Sequence, residues 1–231
     1  MTIDTGCSAS GMALHVACQA LRDPSSQTHS ALVGGTNLML TPEMPMAMAN
    51  MGVFSPTGSC KTFDTRADGY GRGEGINCIY LKRLRDAFQD GDPIRAIIRS
   101  SGVNSDGTTL GITSPSALAQ EMAIREAYAA AGITDFNTTA FVECHGTGTR
   151  AGDPIEARSI GNVFGRIREK VPQDPLYIGS VKANLGHSEG ASALSSVLKA
   201  VLSLEAAQIP PNINFEIPNP QSRHSTMCPN I

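Results

Sequence analysis

The chain has 231 residues, a formal charge of −3, 17% charged residues, 23 Gly and no Trp. This composition excludes a disordered or fibrous chain and suits one sizeable α/β core or two small ones with long ordered loops. With no Lys/Arg cluster, no basic-then-apolar leader and no membrane-spanning apolar run, neither nucleic acid nor membrane is an expected partner, and the expected setting is soluble and cytoplasmic. The cysteines at positions 7, 18, 60, 78, 144 and 228 form no C-x-x-C pair and read as reduced thiols.

Asp4 to Gly11 reads Asp-Thr-Gly-Cys-Ser-Ala-Ser-Gly and runs into Met12 to Leu21, which apart from His15 and Gln19 holds only Ala, Met, Leu, Val and Cys. That segment predicts a helix buried on nearly every side, with Cys7 at its first turn. There a thiol faces unpaired N–H groups and the positive end of the helix dipole, so the thiolate is the expected form. Gly6, Ser8 and Ala9 leave room for a carbonyl to approach, which makes Cys7 a candidate nucleophile. Buried packing of a small apolar side chain is the competing reading. Such a turn normally follows a buried strand, and only three residues precede Asp4, so the chain is expected to start inside a domain.

Ser30 to Gly35 predicts a short buried strand. The methionines at 39, 44, 46, 48 and 51 read as core filling, with a flexible acyl-chain pocket as the other use of the same property. Ser55 to Gly75 is a long glycine-bearing loop whose charges alternate in sign (Asp64, Arg66, Asp68, Arg72, Glu74), and internal ion pairs are expected to order it. Ile76 to Leu81 and Ile94 to Gly102 read as strands about a short helix at Leu84 to Phe88. Gly107 to Ser114 is a loop. Ser116 to Ala131 predicts a helix with Ser116 as N-cap and Gly132 just past its end.

Thr139 to Glu143 and Leu176 to Val181 read as strands. Pro154 to Arg168 predicts a helix with Asp153 and Glu156 at its positive end, and Gly190 to Leu204 predicts another. From Ala207 the chain is rich in Pro and Asn and reads as an extended segment. Alternating strands and helices indicate a layered α/β fold. Cys7 opens one small-residue helix and His187 precedes another, a hint of two related halves meeting at a shared site.

His145, in Glu-Cys-His-Gly-Thr-Gly-Thr, and His187, in Ser-Val-Lys-Ala-Asn-Leu-Gly-His, each follow a predicted strand, where α/β sheets usually place ligands. Each has glycine beside it, which admits close approach of backbone and substrate. Either alone is more often a hydrogen-bonded structural histidine. His15, His29 and His224 lack such surroundings. A zinc site from Cys144, His145 and His187 lacks paired ligand spacing and ranks low, so no metal is expected.

Together, Asp-Thr-Gly-Cys-Ser-Ala-Ser, His145-Gly-Thr-Gly-Thr149 with Gly152-Asp-Pro-Ile-Glu-Ala157, and Ser180 to His187 resemble the three active-site blocks of β-ketoacyl synthases. Lys61 to Asp64, Ala67 to Glu74 and Gly111 to Ser116 further resemble ketosynthase domains of fungal-type iterative modular polyketide synthases, particularly reducing ones. The resemblance covers essentially the whole chain. It implies a thiolase-like layered α/β/α/β/α fold of two related halves, incomplete at both ends. Residues 1–231 would then be a partial ketosynthase domain: the end of the N-terminal half, from the nucleophile onward, and most of the C-terminal half.

The resemblance implies that Cys7 accepts an acyl chain from a phosphopantetheine thiol. His145 and His187 would hold a malonyl thioester and promote its decarboxylation, and the enolate would attack the Cys7 thioester in a Claisen condensation. Lys182 would tune the His187 region, and Thr147 and Thr149 would hydrogen-bond the pantetheine arm. No cofactor is implied beyond the phosphopantetheine that carries substrates on an acyl carrier protein domain, and a homodimer is implied for the intact enzyme. The pairing of Gly186 with His187 fits the two-histidine decarboxylating enzymes rather than thiolases or chalcone-synthase-like relatives. Many relatives have Ala at the position of Gly6 and Ser at that of Ala9. The alternative is a non-catalytic remnant that keeps the motifs and acts at most as an interaction piece.

Overall fold

The computed structural model describes residues 1–109, 111, 114–165, 175–222 and the backbone of 227–229. The chain is an α/β protein with two sheets among the described residues. Strands β1 (Ser30–Asn37) and β2 (Gly75–Lys82) pair antiparallel, from Ser30 opposite Lys82 to Asn37 opposite Gly75. Strands β3 (Phe141–Glu143), β4 (Leu176–Gly179) and β5 (Met227–Pro229) are parallel in the order β3-β4-β5. The helices are α1 (Ala9–Arg22), α2 (Glu43–Asn50), α3 (Leu84–Asp90), α4 (Ala117–Ala130), α5 (Gly152–Ile160), α6 (Lys182–Leu185) and α7 (Ser192–Ala206). Among the described residues no helix is long and apolar enough to cross a membrane.

Helices α1 and α7 pack on each other and on the β1–β2 sheet. Alternation puts Val33 and its neighbours at i ± 2 inward, while Leu32, Ile76 and Tyr80 stand exposed on the outer face. β1 therefore has one buried side rather than two, and its Gly34-Gly35 pair lies inside the strand instead of ending it. The reason is space: a Cβ on Gly35 would lie 2.8 Å from Ser10 Cβ and 3.1 Å from Ala191 Cα. Likewise, a Cβ on Gly11 would meet Ala193 Cβ at 3.2 Å. These small residues let the start of α1 and the start of α7 close over one strand.

The apolar core of the other half gathers Phe63, Cys144, Ala157, Ile160, Val163, Phe164, Leu176 and Ile178 around β3 and β4, with α5 against it. Asp153 and Glu156 sit where the helix dipole favours acids, and both carboxylates reach back to loop N–H groups. On α4, Ser116 caps as its position suggests, accepting from Ala119 N–H at 3.2 Å, and Gly132 follows the helix end at φ 67°.

Four expectations differ. Residues Ile94 to Gly102 form no strand, because no ladder partner lies beside them among the described residues. The methionines are not core filling: Met44, Met46 and Met51 are more than half exposed on and after α2. Helix α1 is buried only at Ser10, Cys18 and Leu21, the rest being half-covered apart from exposed Gln19 and Arg22. The helix from Pro154 begins two residues earlier and turns at Gly161–Gly165 into a wider π-type coil; residues 166–168 lie outside the described residues, as do 110, 112 and 113 of the 107–114 loop and His224.

Replacing Gly35 by Val is expected to force the two helix starts apart and lower stability by roughly 1–3 kcal/mol, measured by urea denaturation.

Candidate active site

Cys7 sits in a one-turn 3-10 segment, Gly6–Ser8, that leads into α1. Gly6 adopts φ 66°, a left-handed turn with open space where a side chain would be. Across from it, Ser188 and Glu189 lead through another 3-10 turn into α7. The two helix starts are tied directly: Ser192 Oγ donates to Cys7 C=O at 3.1 Å, and Ser10 Oγ accepts from Leu194 N–H at 3.4 Å. Cys7 Sγ, a ring nitrogen of His187 and a carboxylate oxygen of Glu189 consequently lie within 4.8 Å of one another. The His145 ring stands edge-on to that of His187, with centroids 5.5 Å apart. The three side chains singled out from separate parts of the sequence thus converge on one place.

The long loop at 55–75 holds both histidines. His187 N–H donates to Gly71 C=O at 2.7 Å and its C=O accepts from Gly73 N–H at 2.9 Å, so its backbone is clamped like a strand residue. Gly186, at φ 77°, admits this clamp, since a Cβ there would strike Arg72 C=O at 2.6 Å. On the other side Thr62 Oγ1 donates to Gly146 C=O at 2.6 Å, and Gly69 N–H donates to Gly148 C=O at 3.0 Å. The loop carries the ion pairs its charges suggest, although Asp68 pairs with Lys61 at 2.7 Å and Asp64 with Arg66 at 2.8 Å. Arg72 lies over the Phe54 ring instead.

Buried acids fix the His145 loop. Glu156 accepts from His145 N–H at 2.6 Å and from Gly146 N–H at 2.8 Å. Asp153 accepts from the N–H groups of Phe63, Gly148 and Thr149 at 2.7, 3.1 and 3.3 Å. Burial outweighs these donors and pushes the Asp153 carboxyl up to about 7. Lys182, 3% exposed, is held below its ordinary value by burial, against the pull of Glu156 and Glu143. Thr147 is buried and donates to Thr149 Oγ1 at 3.2 Å, while Thr149 Oγ1 accepts from Gly152 N–H at 3.2 Å.

The His187 ring has a defined proton. Its Nδ1 accepts from Glu189 N–H at 3.1 Å, which in the neutral ring leaves the hydrogen on Nε2. Nε2 is buried and has no hydrogen-bond partner among the described residues. Burial, then the neighbouring His145, then the Lys182 charge lower the His187 pKa to about 3. His145 is lowered to about 4 by the protein crowding its ring and by Lys182, a shift tempered by solvent because the residue is exposed. Both imidazoles are therefore neutral hydrogen-bond donors at neutral pH.

The thiol contradicts the expectation of a thiolate. Burial, followed by the Glu189 charge and hydrogen bond, raises Cys7 to about 11, and Lys182 offsets only part of this. Helix-terminal N–H groups do not win here because the sulfur is desolvated and donates to Glu189 Oε2 at 3.6 Å. Glu189 and Tyr70 are the site residues that the sequence reading missed. Tyr70 donates to Glu189 Oε1 at 2.9 Å, and its ring lies 4.9 Å from that of His187. The signal for Glu189 was its place two residues after His187; nothing local marked Tyr70.

A zinc trio of Cys144, His145 and His187 does not form, since Cys144 is buried in the apolar core. The converging group Cys7, His187 and Glu189 suits hydrogen bonding better than metal binding. Coordination through Nε2 would drive the ring proton onto Nδ1, against the Glu189 N–H. A groove of about 670 Å³ lined by Leu198, Leu202, Pro210 and others contains none of the converging residues.

The depressed His187 pKa means that the unfolded chain binds more protons between about pH 3 and 6.5, so this residue contributes stability that rises with pH across that window. The gain in unfolding free energy from pH 5 to pH 7 should be larger in the parent than in His187→Asn by about 2 kcal/mol, read from urea midpoints at the two pH values.

Over 96% of its length the chain is 55% identical to the highly reducing polyketide synthase VdtX of Byssochlamys spectabilis, and over 98% it is 54% identical to the highly reducing polyketide synthase FUM1 of Gibberella moniliformis. It spans 10% and 8% of those two proteins. The ketosynthase from module 6 of the Bacillus subtilis 168 bacillaene synthase superposes with a TM-score of 0.89 at 44% identity, covering 95% of this chain and 38% of that one. The oxazolomycin ketosynthase domain OzmH KS7 of Streptomyces albus JA3453 gives 0.87 at 35% identity, over 96% of this chain and 39% of that one. The layered α/β fold is thus that of solved ketosynthases. Residues 1–87 match the family model for the β-ketoacyl synthase N-terminal domain and residues 95–216 that for the C-terminal domain, and the chain belongs to the β-ketoacyl synthase family.

Proposed function

We propose that this chain carries the condensing centre of a polyketide-type ketosynthase, with Cys7 as acyl acceptor and His145 and His187 as the groups that act on a malonyl thioester. The convergence of the Cys7 sulfur with the His187 imidazole, beside His145, is the observation that carries this reading. Cys7 takes an acyl group from a phosphopantetheine thiol as a thioester. A malonyl thioester then places its carbonyl oxygen against the buried Nε2–H of His187, an unpaired donor in a dry setting, with His145 alongside. Loss of CO2 leaves an enolate whose negative charge grows on that oxygen, where neutral donors lower the barrier without having to give up their protons. The enolate carbon attacks the Cys7 thioester carbonyl, the C–S bond breaks to release the Cys7 thiolate, which takes up a proton from solvent, and the chain leaves two carbons longer on the carrier.

In this reading the acyl carrier protein domain is the partner, residues 1–231 are part of a ketosynthase domain, the working form is a homodimer, and the setting is the cytoplasm. Lys182 holds the field around both imidazoles. Thr147 and Thr149 border the pantetheine path, with the Thr149 hydroxyl already engaged in capping Gly152 N–H.

Incubation with an acyl thioester should place one acyl group on Cys7, located by peptide mass mapping, and Cys7→Ala should take none. His187→Ala should still acylate Cys7 while releasing CO2 from a malonyl thioester roughly 10²–10³-fold more slowly. Acyl label spread evenly over the cysteines would count against the assignment.

A further inference from the structure

Building on the ketosynthase reading, we infer that Glu189 is the base that removes the Cys7 thiol proton while the acyl group is loaded, with Tyr70 positioning its carboxylate. Glu189 Oε2 accepts the Cys7 S–H at 3.6 Å, and Oε1 accepts the Tyr70 hydroxyl at 2.9 Å, so one oxygen is anchored and the other faces the sulfur. Tyr70 is 6% exposed and is itself fixed by an edge contact with Phe54 and by the His187 ring. Glu189 holds φ 42°, a left-handed conformation that non-glycine residues seldom adopt. That backbone also sends its N–H to His187 Nδ1, so one residue orients the imidazole and meets the thiol.

The need for a base follows from the burial of Cys7. A thiol raised to about 11 is almost wholly protonated at neutral pH, and neither neutral imidazole replaces Glu189 as its hydrogen-bond acceptor. During loading the Cys7 sulfur forms a bond to the acyl carbonyl carbon. It becomes acidic as it does so, and its proton passes to Glu189 Oε2. The bond from that carbon to the pantetheine sulfur then breaks, and Glu189 returns the proton to the departing thiolate. The carboxylate is regenerated and no other reactant is consumed.

The two roles of Glu189, raising the thiol pKa and accepting its proton, make opposite predictions for different reagents. In Glu189→Gln, iodoacetamide should alkylate Cys7 several-fold faster at pH 8, because the thiolate fraction rises once the negative charge is gone. Acyl transfer from an acyl thioester to Cys7 at pH 7 should instead slow by about 100-fold and recover as the pH is raised. Tyr70→Phe should give a smaller loss of acyl transfer in the same direction. A Gln variant that loads as fast as the parent overturns the role of Glu189 alone. A parent protein that takes no acyl group at Cys7 overturns the ketosynthase reading and this inference with it.

Discussion

The site depends on the abutment of two helix starts across a single strand. Gly35 and Gly11, with Ala191 and Ala193, let α1 and α7 approach until Ser192 donates to Cys7 C=O and Ser10 accepts from Leu194 N–H. Everything chemical follows from that contact, since Cys7 lies just before one helix and His187 with Glu189 just before the other. Larger side chains at these positions would separate the groups without touching any of them.

Burial sets the protonation states in a consistent pattern. The buried His187 imidazole is kept neutral and the thiol is kept protonated, because each charged form is penalised by desolvation. Lys182 works with burial at the histidines and against it at the cysteine. A site whose imidazole donors are neutral favours chemistry in which negative charge appears on a carbonyl oxygen, and it leaves the thiol in need of a neighbour that accepts its proton. The Glu189 carboxylate, anchored by Tyr70, is the group in that place.

The loop at 55–75 is the frame rather than an ornament of the fold. Its backbone clamps His187 through Gly71 and Gly73, and its Thr62 and Gly69 hold the turn that carries His145. Internal ion pairs keep the loop in shape, while the buried carboxylates of Asp153 and Glu156 tie the histidine turn back to α5. Order without regular secondary structure is achieved here through backbone hydrogen bonds such as those of Thr65, Gly69, Gly71 and Gly73 to segments outside the loop or across it.

What the sequence by itself determined is local: the short motifs about Cys7, His145 and His187, the Ser116 cap with Gly132 after its helix, and the strands β1 to β4, because turn chemistry, spacing and side-chain type act within a few residues. Tertiary structure alone decided the rest. Whether Ile94 to Gly102 became a strand turned on a ladder partner beside it, and whether the methionines were buried turned on what packs over them. The charge on Cys7 was decided first by burial of the sulfur and then by Glu189, which lies 182 residues away along the chain. A thiol at a helix start reads as a thiolate from its own neighbours; desolvation and a distant carboxylate, invisible to any window of sequence, reverse that.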